Sequence, residues 1–440
     1  MFDYRGTWML DNGMQKMWLA ACVAGLLMWA CGVGRADWPG FRGPRGDGHV
    51  VEDGAAVPLR WGEGQNVAWK TEIPHRGWSS PVVAAGKVWL TTATLEGHDF
   101  FVVAVDAASG RVIHNERLFH SDNPEPLGNP INCYASPTPV VEAGRVYVHF
   151  GSYGTACLDT TDYRTIWRRE DIPCRHYRGP GSSPVLFEDQ LILTMDGVDV
   201  QYVIALDKRT GETVWKTDRT ADWDDLGADG LPFSEGDLRK AYSTPLIVEV
   251  GGGPLMITAG AKAAYGYNPR TGKELWKVNH TAFSGAAMPV FGHAMAFIVT
   301  GFGRTELWAV RVDGQGDVTD THVVWRARKA VPRTPSPLLA GELLFMVADN
   351  GVLACLEART GDEVWSQRLR GDFAASPIHA DGRIYLCDQA GTTTVIRAAR
   401  TFEVLAENKL ESGFMASPAV ADGALFLRTR THLYRIEATR

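Results

Sequence analysis

The side chains that could do chemistry gather ahead of a dipeptide that recurs along the chain. Ser80-Pro81, Ser136-Pro137, Ser183-Pro184, Thr244-Pro245, Met288-Pro289, Ser336-Pro337, Ser376-Pro377 and Ser417-Pro418 each precede a short hydrophobic run. Aromatic residues stand just before several of them: Trp78, Tyr134, Tyr242, Phe373 and Phe414. Polar and charged residues fall in the same loops, namely His75, Asn132, His176, Tyr177, Arg178, Arg239, Lys262, Arg304, Arg333, Asp349 and Asp388. Aromatic anchors with a few cations suit an anionic ligand or an extended protein segment. The same residues also suit packing between strands and solvated turns, and spacing alone does not separate the two readings. The ligand-binding candidates are Trp78, Asn132, Tyr134, His176, Tyr177, Arg178, Arg239, Tyr242, Lys262, Arg304, Arg333 and Asp388.

Catalytic patterns are missing from the sequence. It has no Gly-x-Ser-x-Gly elbow, no His-Glu-x-x-His and no Gly-rich phosphate loop with its lysine. Asp222-Trp223-Asp224-Asp225 is acidic but lacks the ligand spacing of a calcium loop. No catalytic residue, no metal ligand and no cofactor is therefore expected. The formal net charge of -7 argues against nucleic acid, because phosphate binding needs a basic face.

The elements that must position these residues are repeats. After each Ser-Pro comes a strand, a turn and a second strand, as in Gly86-Lys87-Val88-Trp89-Leu90. A third strand follows, such as Val203-Ile204-Ala205-Leu206-Asp207, then a Thr-Gly turn at Thr210-Gly211, then a fourth strand ending in Trp215. The runs are short, rich in β-branched and aromatic residues, and bounded by turn residues. Four antiparallel strands in a unit of roughly 40–60 residues build a propeller blade. The fourth-strand Trp recurs at Trp167, Trp215, Trp276, Trp325 and Trp365, while His114 and Leu405 replace it in the first and seventh repeats. Tyr163 and Thr401 replace the turn Gly in the second and seventh.

The eighth repeat stops after Leu433-Tyr434-Arg435-Ile436, its third strand, and an unmatched fourth strand, Asn66-Val67-Ala68-Trp69-Lys70, precedes the first Ser-Pro. The expected fold is all-β: an eight-bladed propeller of four-stranded antiparallel blades, closed by an N-terminal strand that completes the last blade and leaves no open edge there. The loops between blades share a face with the loops joining strands two and three. Long inter-blade loops at 115–135, 171–182 and 217–242 place function on that face, around the channel mouth.

Residues 1–36 read as a signal peptide, with an apolar run from Trp18 to Gly34 and small residues at Gly34-Arg35-Ala36. The true start is open between Met1 and Met14. Cleavage after Ala36 gives an exported protein of the periplasm or cell envelope, with no transmembrane span in the mature chain. Met28-Trp29-Ala30 is a poor lipobox for Cys31, so a lipoprotein is not expected. An N-terminal extension at 37–65 and the propeller at 66–440 complete the organisation. Five cysteines lie beyond the signal, and whether Cys133 and Cys174 are joined is left open.

Ala205 to Trp215, Ala-Leu-Asp-x-x-Thr-Gly-Glu-x-x-Trp, resembles the PQQ-type repeat of quinoprotein alcohol dehydrogenases and of BamB-type outer-membrane assembly factors. The opening Asp37-Trp38-Pro39-Gly40-Phe41-Arg42-Gly43-Pro44 looks like that of exported bacterial PQQ-like propeller proteins. The resemblance covers most of the chain from about Trp61 and implies the fold more than the function, since enzymes and scaffolds share it. Dehydrogenases of this kind carry adjacent cysteines and a calcium held by Glu, Asn and Asp, and this chain has no Cys-Cys pair. The expected function is therefore a non-enzymatic binding scaffold, monomeric, taking a protein segment or a small anionic ligand at the channel face. The alternative is a PQQ- and calcium-dependent oxidoreductase acting on alcohols or sugars.

Overall fold

A computed structural model of the protein describes residues 37–50, 57–128 and 130–438. The expected signal peptide and Cys31 lie outside the described residues. Eight antiparallel blades form the ring, each with four strands in simple up-and-down order, and blade 4 has a short fifth. Blade 3 is typical: Val185–Phe187, Gln190–Asp196, Gln201–Asp207 and Thr213–Asp218 run from the channel outward.

Burial explains the strand sequences. Middle strands are covered by a blade on each face, so they read as unbroken apolar runs, as in Met295–Val299, which is buried throughout. Outer strands meet solvent and alternate; Val67–Glu72 switches between half-buried and exposed at each residue. The turn before the outer strand has its own chemistry. Asp207 Oδ1 accepts the Arg209 and Thr210 amides at 2.8 and 3.1 Å, and Gly211 takes the positive φ of 78° that closes the turn.

The closing strand is where the sequence placed it. Val67–Glu72 pairs antiparallel with His432–Ile436, giving blade 8 strands from both ends of the chain. In blade 4 the two-residue strand Gly316–Asp317 pairs parallel with Trp276 and Lys277 and covers the outer edge.

Two sets of contacts join neighbouring blades. On the outside, five of the outer-strand Trp indoles donate to a turn carbonyl of the next blade: Trp69 to Ala107 at 3.1 Å, Trp167 to Lys208 at 3.0 Å, Trp215 to Pro269 at 3.2 Å, Trp325 to Ala358 at 3.1 Å and Trp365 to Ala399 at 3.1 Å. On the inside, the hydroxyl of each Ser/Thr-Pro accepts the backbone N–H of the equivalent residue one blade earlier. Ser80 N–H donates to Thr138 Oγ1 at 2.9 Å, Thr138 to Ser183 Oγ at 3.0 Å, and Ser183 to Thr244 Oγ1 at 2.9 Å. Met288 donates to Ser336, Ser336 to Ser376, and Ser376 to Ser417. Ser417 N–H donates to Ser80 Oγ at 3.1 Å and closes the circle. Met288 has no hydroxyl to offer Thr244.

This circle corrects the register of blade 2. Its ring member is Thr138-Pro139, and Ser136-Pro137 lies two residues ahead of it. The two dipeptides follow one another in Ser136-Pro137-Thr138-Pro139, and the strand Val140–Glu142 starts directly after the second.

The N-terminal extension is part of the fold. Trp38 pairs with Val83 of blade 1, and Val141 of blade 2 donates to Pro39 O at 2.8 Å. Arg42 Nη2 donates to Pro337 O of blade 6 at 2.8 Å, and Val50 N–H to His379 O of blade 7 at 3.0 Å. The segment thus crosses the channel mouth opposite the long loops. Further on, Trp61 is buried, its amide donates to Asn408 Oδ1, and its ring stacks on Tyr385. Cys133, Cys157, Cys174, Cys355 and Cys387 are all buried free thiols, so Cys133 and Cys174 are not joined.

Candidate functional site

The channel holds a cavity of about 430 Å³. Its wall follows from the repeat: the residue two places before each ring position lines it. These residues are Trp78, Ser136, Gly181, Tyr242, Ala286, Thr334, Ala374 and Met415. Deeper lining comes from ring residues, including Ser80, Thr138, Ser183 and Thr244. Phe41 of the N-terminal segment lines this cavity and also a second one of about 310 Å³ beneath it, so its ring forms the floor. Ile131 lines the upper cavity and is 58% exposed, so the cavity reaches the surface at the long loops.

Of the candidates from the sequence, Trp78, Asn132, Arg178 and Tyr242 line the cavity. Asn132 Nδ2 holds the carbonyls of Arg178, Gly179 and Pro180 at 2.9–3.2 Å, and its Oδ1 accepts Ser136 Oγ–H at 2.5 Å. That side chain ties the loop before blade 2 to the loop before blade 3. Tyr242 donates to His176 O at 3.3 Å, and burial pushes its hydroxyl pKa well up. Arg178 lies 5.0 Å over the Tyr177 ring.

The other candidates serve elsewhere. Tyr134 is buried against Phe100 and Tyr153 and donates to Glu125 O at 2.8 Å. His176 is buried beside Cys174, with Nδ1 3.6 Å from the thiol, and burial lowers its pKa to about 4. Arg239 is forked onto the buried Asp225 at 2.5–3.2 Å. The Lys262 backbone pairs with Ala282 and His280. Arg304 is exposed and paired with Glu306 at 2.9 Å. Arg333 is exposed, and its guanidinium lies 5.1 Å over Phe302 of the cavity wall. Asp388 is buried, and its Oδ1 accepts the Ala390 and Thr392 amides of its own turn. Phe373 and Phe414, considered with them, are core residues at 1% exposure.

Residues that sequence reasoning missed complete the wall: Lys240, Asp237, Phe283, Ser284 and Phe302. Lys240 is buried between the Tyr177 and Phe283 rings, each 5.6 Å from Nζ, and binds the Asp237 carboxylate. Burial lowers its pKa, and Asp237 opposes that shift. The distance of each residue from its Ser/Thr-Pro would have found Ala286, Thr334, Ala374 and Met415; Phe41 carries no such signal.

One of the long loops on this face carries a hairpin of its own. Residues 225–233 form a small hairpin, with Leu226 bridged to Pro232, Gly227 N–H donating to Leu231 O, and Phe233 N–H to Asp225 O. Leu226, Leu231 and Phe233 are 60%, 64% and 56% exposed. The Arg239–Asp225 fork holds its base. Arg175 bridges Glu125 and Glu235 at 2.6 and 3.6 Å, tying the three long loops together.

The donor set does not fit a calcium ion. Asp237 is the one carboxylate among the lining residues, and Lys240 takes it; calcium wants six or more oxygen ligands, several of them anionic. Among the described residues no group of three or more His, Cys, Asp or Glu could hold a metal ion, and no helix is long and apolar enough to cross a membrane.

The family described as outer membrane protein assembly factor BamB matches the chain over residues 61–215 and 305–402. No curated protein matches. Among solved structures, BamB from Moraxella catarrhalis is similar at 11% identity, with 84% of this chain and 99% of that chain covered and a TM-score of 0.57. Quinohemoprotein alcohol dehydrogenase from Comamonas testosteroni is similar at 13% identity, 92% and 81% coverage and a TM-score of 0.66. A europium-containing methanol dehydrogenase is similar at 12% identity, 90% coverage of both chains and a TM-score of 0.61. At these identities the likeness is one of fold.

Proposed function

We propose that this chain, which belongs to the family described as outer membrane protein assembly factor BamB, is a non-enzymatic binding scaffold of the cell envelope that docks a partner protein on the channel face that bears its long loops. One observation carries the reading: a braced hairpin presents Leu226, Leu231 and Phe233 to solvent. Isolated exposed apolar residues need no explanation, but three on one hairpin tip are typical of a docking surface. Leu95 and Ile131, each 58% exposed, lie in loops of the same face. Aromatic and aliphatic anchors on a rigid support give affinity at low entropic cost. The remaining exposed large apolar residues among those described, Ile166, Val214, Val324 and Val404, sit on outer strands of separate blades.

The test is capture of envelope proteins by the mature chain and by a Leu231→Ser/Phe233→Ser variant. The substitutions are on an exposed tip, so the melting temperature is expected to hold. Loss of the partner supports the reading, and capture that is equal for both moves the docking surface elsewhere.

A further inference from the structure

Several hydrogen-bond donors in the channel cavity lack a partner. Trp78 Nε1 and Ser284 Oγ are buried without a partner among the described residues, and both residues line the cavity. The Arg178 guanidinium also lines it, stacked on Tyr177, and no carboxylate pairs with it among the described residues. The ring hydroxyls add further donors. Thr138, Ser183 and Thr244 already accept a backbone N–H each, which leaves each O–H free to donate. Two acceptor oxygens nearby are already engaged: Asp237 Oδ1 by Lys240, and Asn132 Oδ1 by Ser136.

Buried donors left unpaired cost free energy, and the half-buried Arg178 adds a positive charge beside them. A ligand that relieves this brings acceptor oxygens, and Arg178 favours an anionic group among them. The rest of the lining sets its body. Phe41, Phe283, Phe302 and Met415 are apolar, and Phe41 closes the far end, so the space suits a compact molecule. We propose that the channel cavity binds a small organic carboxylate, with its acid group on Arg178 and the unpaired donors and its apolar body against Phe41, Phe283, Phe302 and Met415. The site is separate from the docking hairpin and does not depend on it.

The experiment is calorimetric titration of the mature protein with phenylacetate and with its neutral isostere phenylacetamide. Phenylacetate is expected to bind at least about tenfold more tightly, because only it offers charge-assisted acceptors. Arg178→Met is expected to remove that preference. Replacing Trp78 with β-(3-benzothienyl)alanine keeps the bicyclic shape and deletes only the N–H, so a few-fold loss there reads the donor without disturbing the fold. A short peptide with a free C-terminal carboxylate that outcompetes phenylacetate, while its amidated form does not, would assign the same chemistry to a protein terminus. The Leu231→Ser/Phe233→Ser variant should bind phenylacetate as the parent does, which separates this site from the docking surface. Acid and amide binding equally, no binding of the acid, or unchanged affinity in Arg178→Met would each overturn the proposal.

Discussion

Gly110 of blade 1 lies under the indole of Trp69, so close that a Cβ at that glycine would come within 2.6 Å of the ring. Trp69 belongs to the strand that completes blade 8, so this contact joins the two ends of the circle. The same arrangement recurs one blade after another, with Gly211 under Trp167, Gly272 under Trp215 and Gly361 under Trp325. Gly110 also holds a φ of 74°, which side chains resist. Gly110→Ala is therefore expected to destabilise the protein by about 2 kcal/mol, from backbone strain and overpacking together. Urea unfolding measures it, and a midpoint equal to the parent's would refute the contact as a closure device.

Acid should weaken the fold through buried histidines. Burial lowers the pKa of His149 to about 3 and of His176, His280 and His379 to about 4. These imidazoles stay neutral in the folded chain but take a proton when unfolded below about pH 6.5. Their contribution is complete above that value and is lost as pH falls toward about 4, at up to about 1.4 kcal/mol per pH unit for each fully buried ring. The melting temperature is expected to fall across that window, and His149→Gln to make the slope shallower. A flat melting temperature from about pH 7 to about pH 4.5 would contradict the assignment.

PQQ is expected to show no calcium-dependent saturable binding. The cavity offers Asp237, already paired with Lys240, where a calcium ion would need several anionic oxygens. A polycarboxylate such as PQQ would also bring more negative charge than Arg178 can match. Titration with and without calcium checks this, and tight binding only in the presence of calcium would favour an oxidoreductase.

The repeat arithmetic was legible because it rests on strand period and turn chemistry, both local. Blade count and closure by Val67–Glu72 follow from it directly. Even the departures make sense in space: His114, in a Trp position, stacks at 4.5 Å on Tyr163, which replaces the turn Gly of the next blade. The site was harder to read. Trp78 and Tyr242 stand two residues before the ring hydroxyl and line the channel, while Phe373 and Phe414 stand three before it and point into the core. In an extended chain one residue of offset reverses the side chain. Tyr134 was displaced further, by the second Ser/Thr-Pro at Thr138. Arg239 and Asp388 could not be told from ligand-binding residues, because their partners, Asp225 and the turn amides, are fixed only by the folded loops. Phe41 reaches the cavity through the path of a whole segment, which no local pattern encodes.

The most direct test of the scaffold reading is site-specific photo-crosslinking in cell envelopes. A photoreactive residue replaces Phe233 at the hairpin tip, and the same residue replaces Val214 on the exposed outer strand of blade 3 as a control. One discrete protein adduct from position 233 and none from position 214 is the expected result. Equal labelling at both positions, or none at 233, would contradict a docking role for this face.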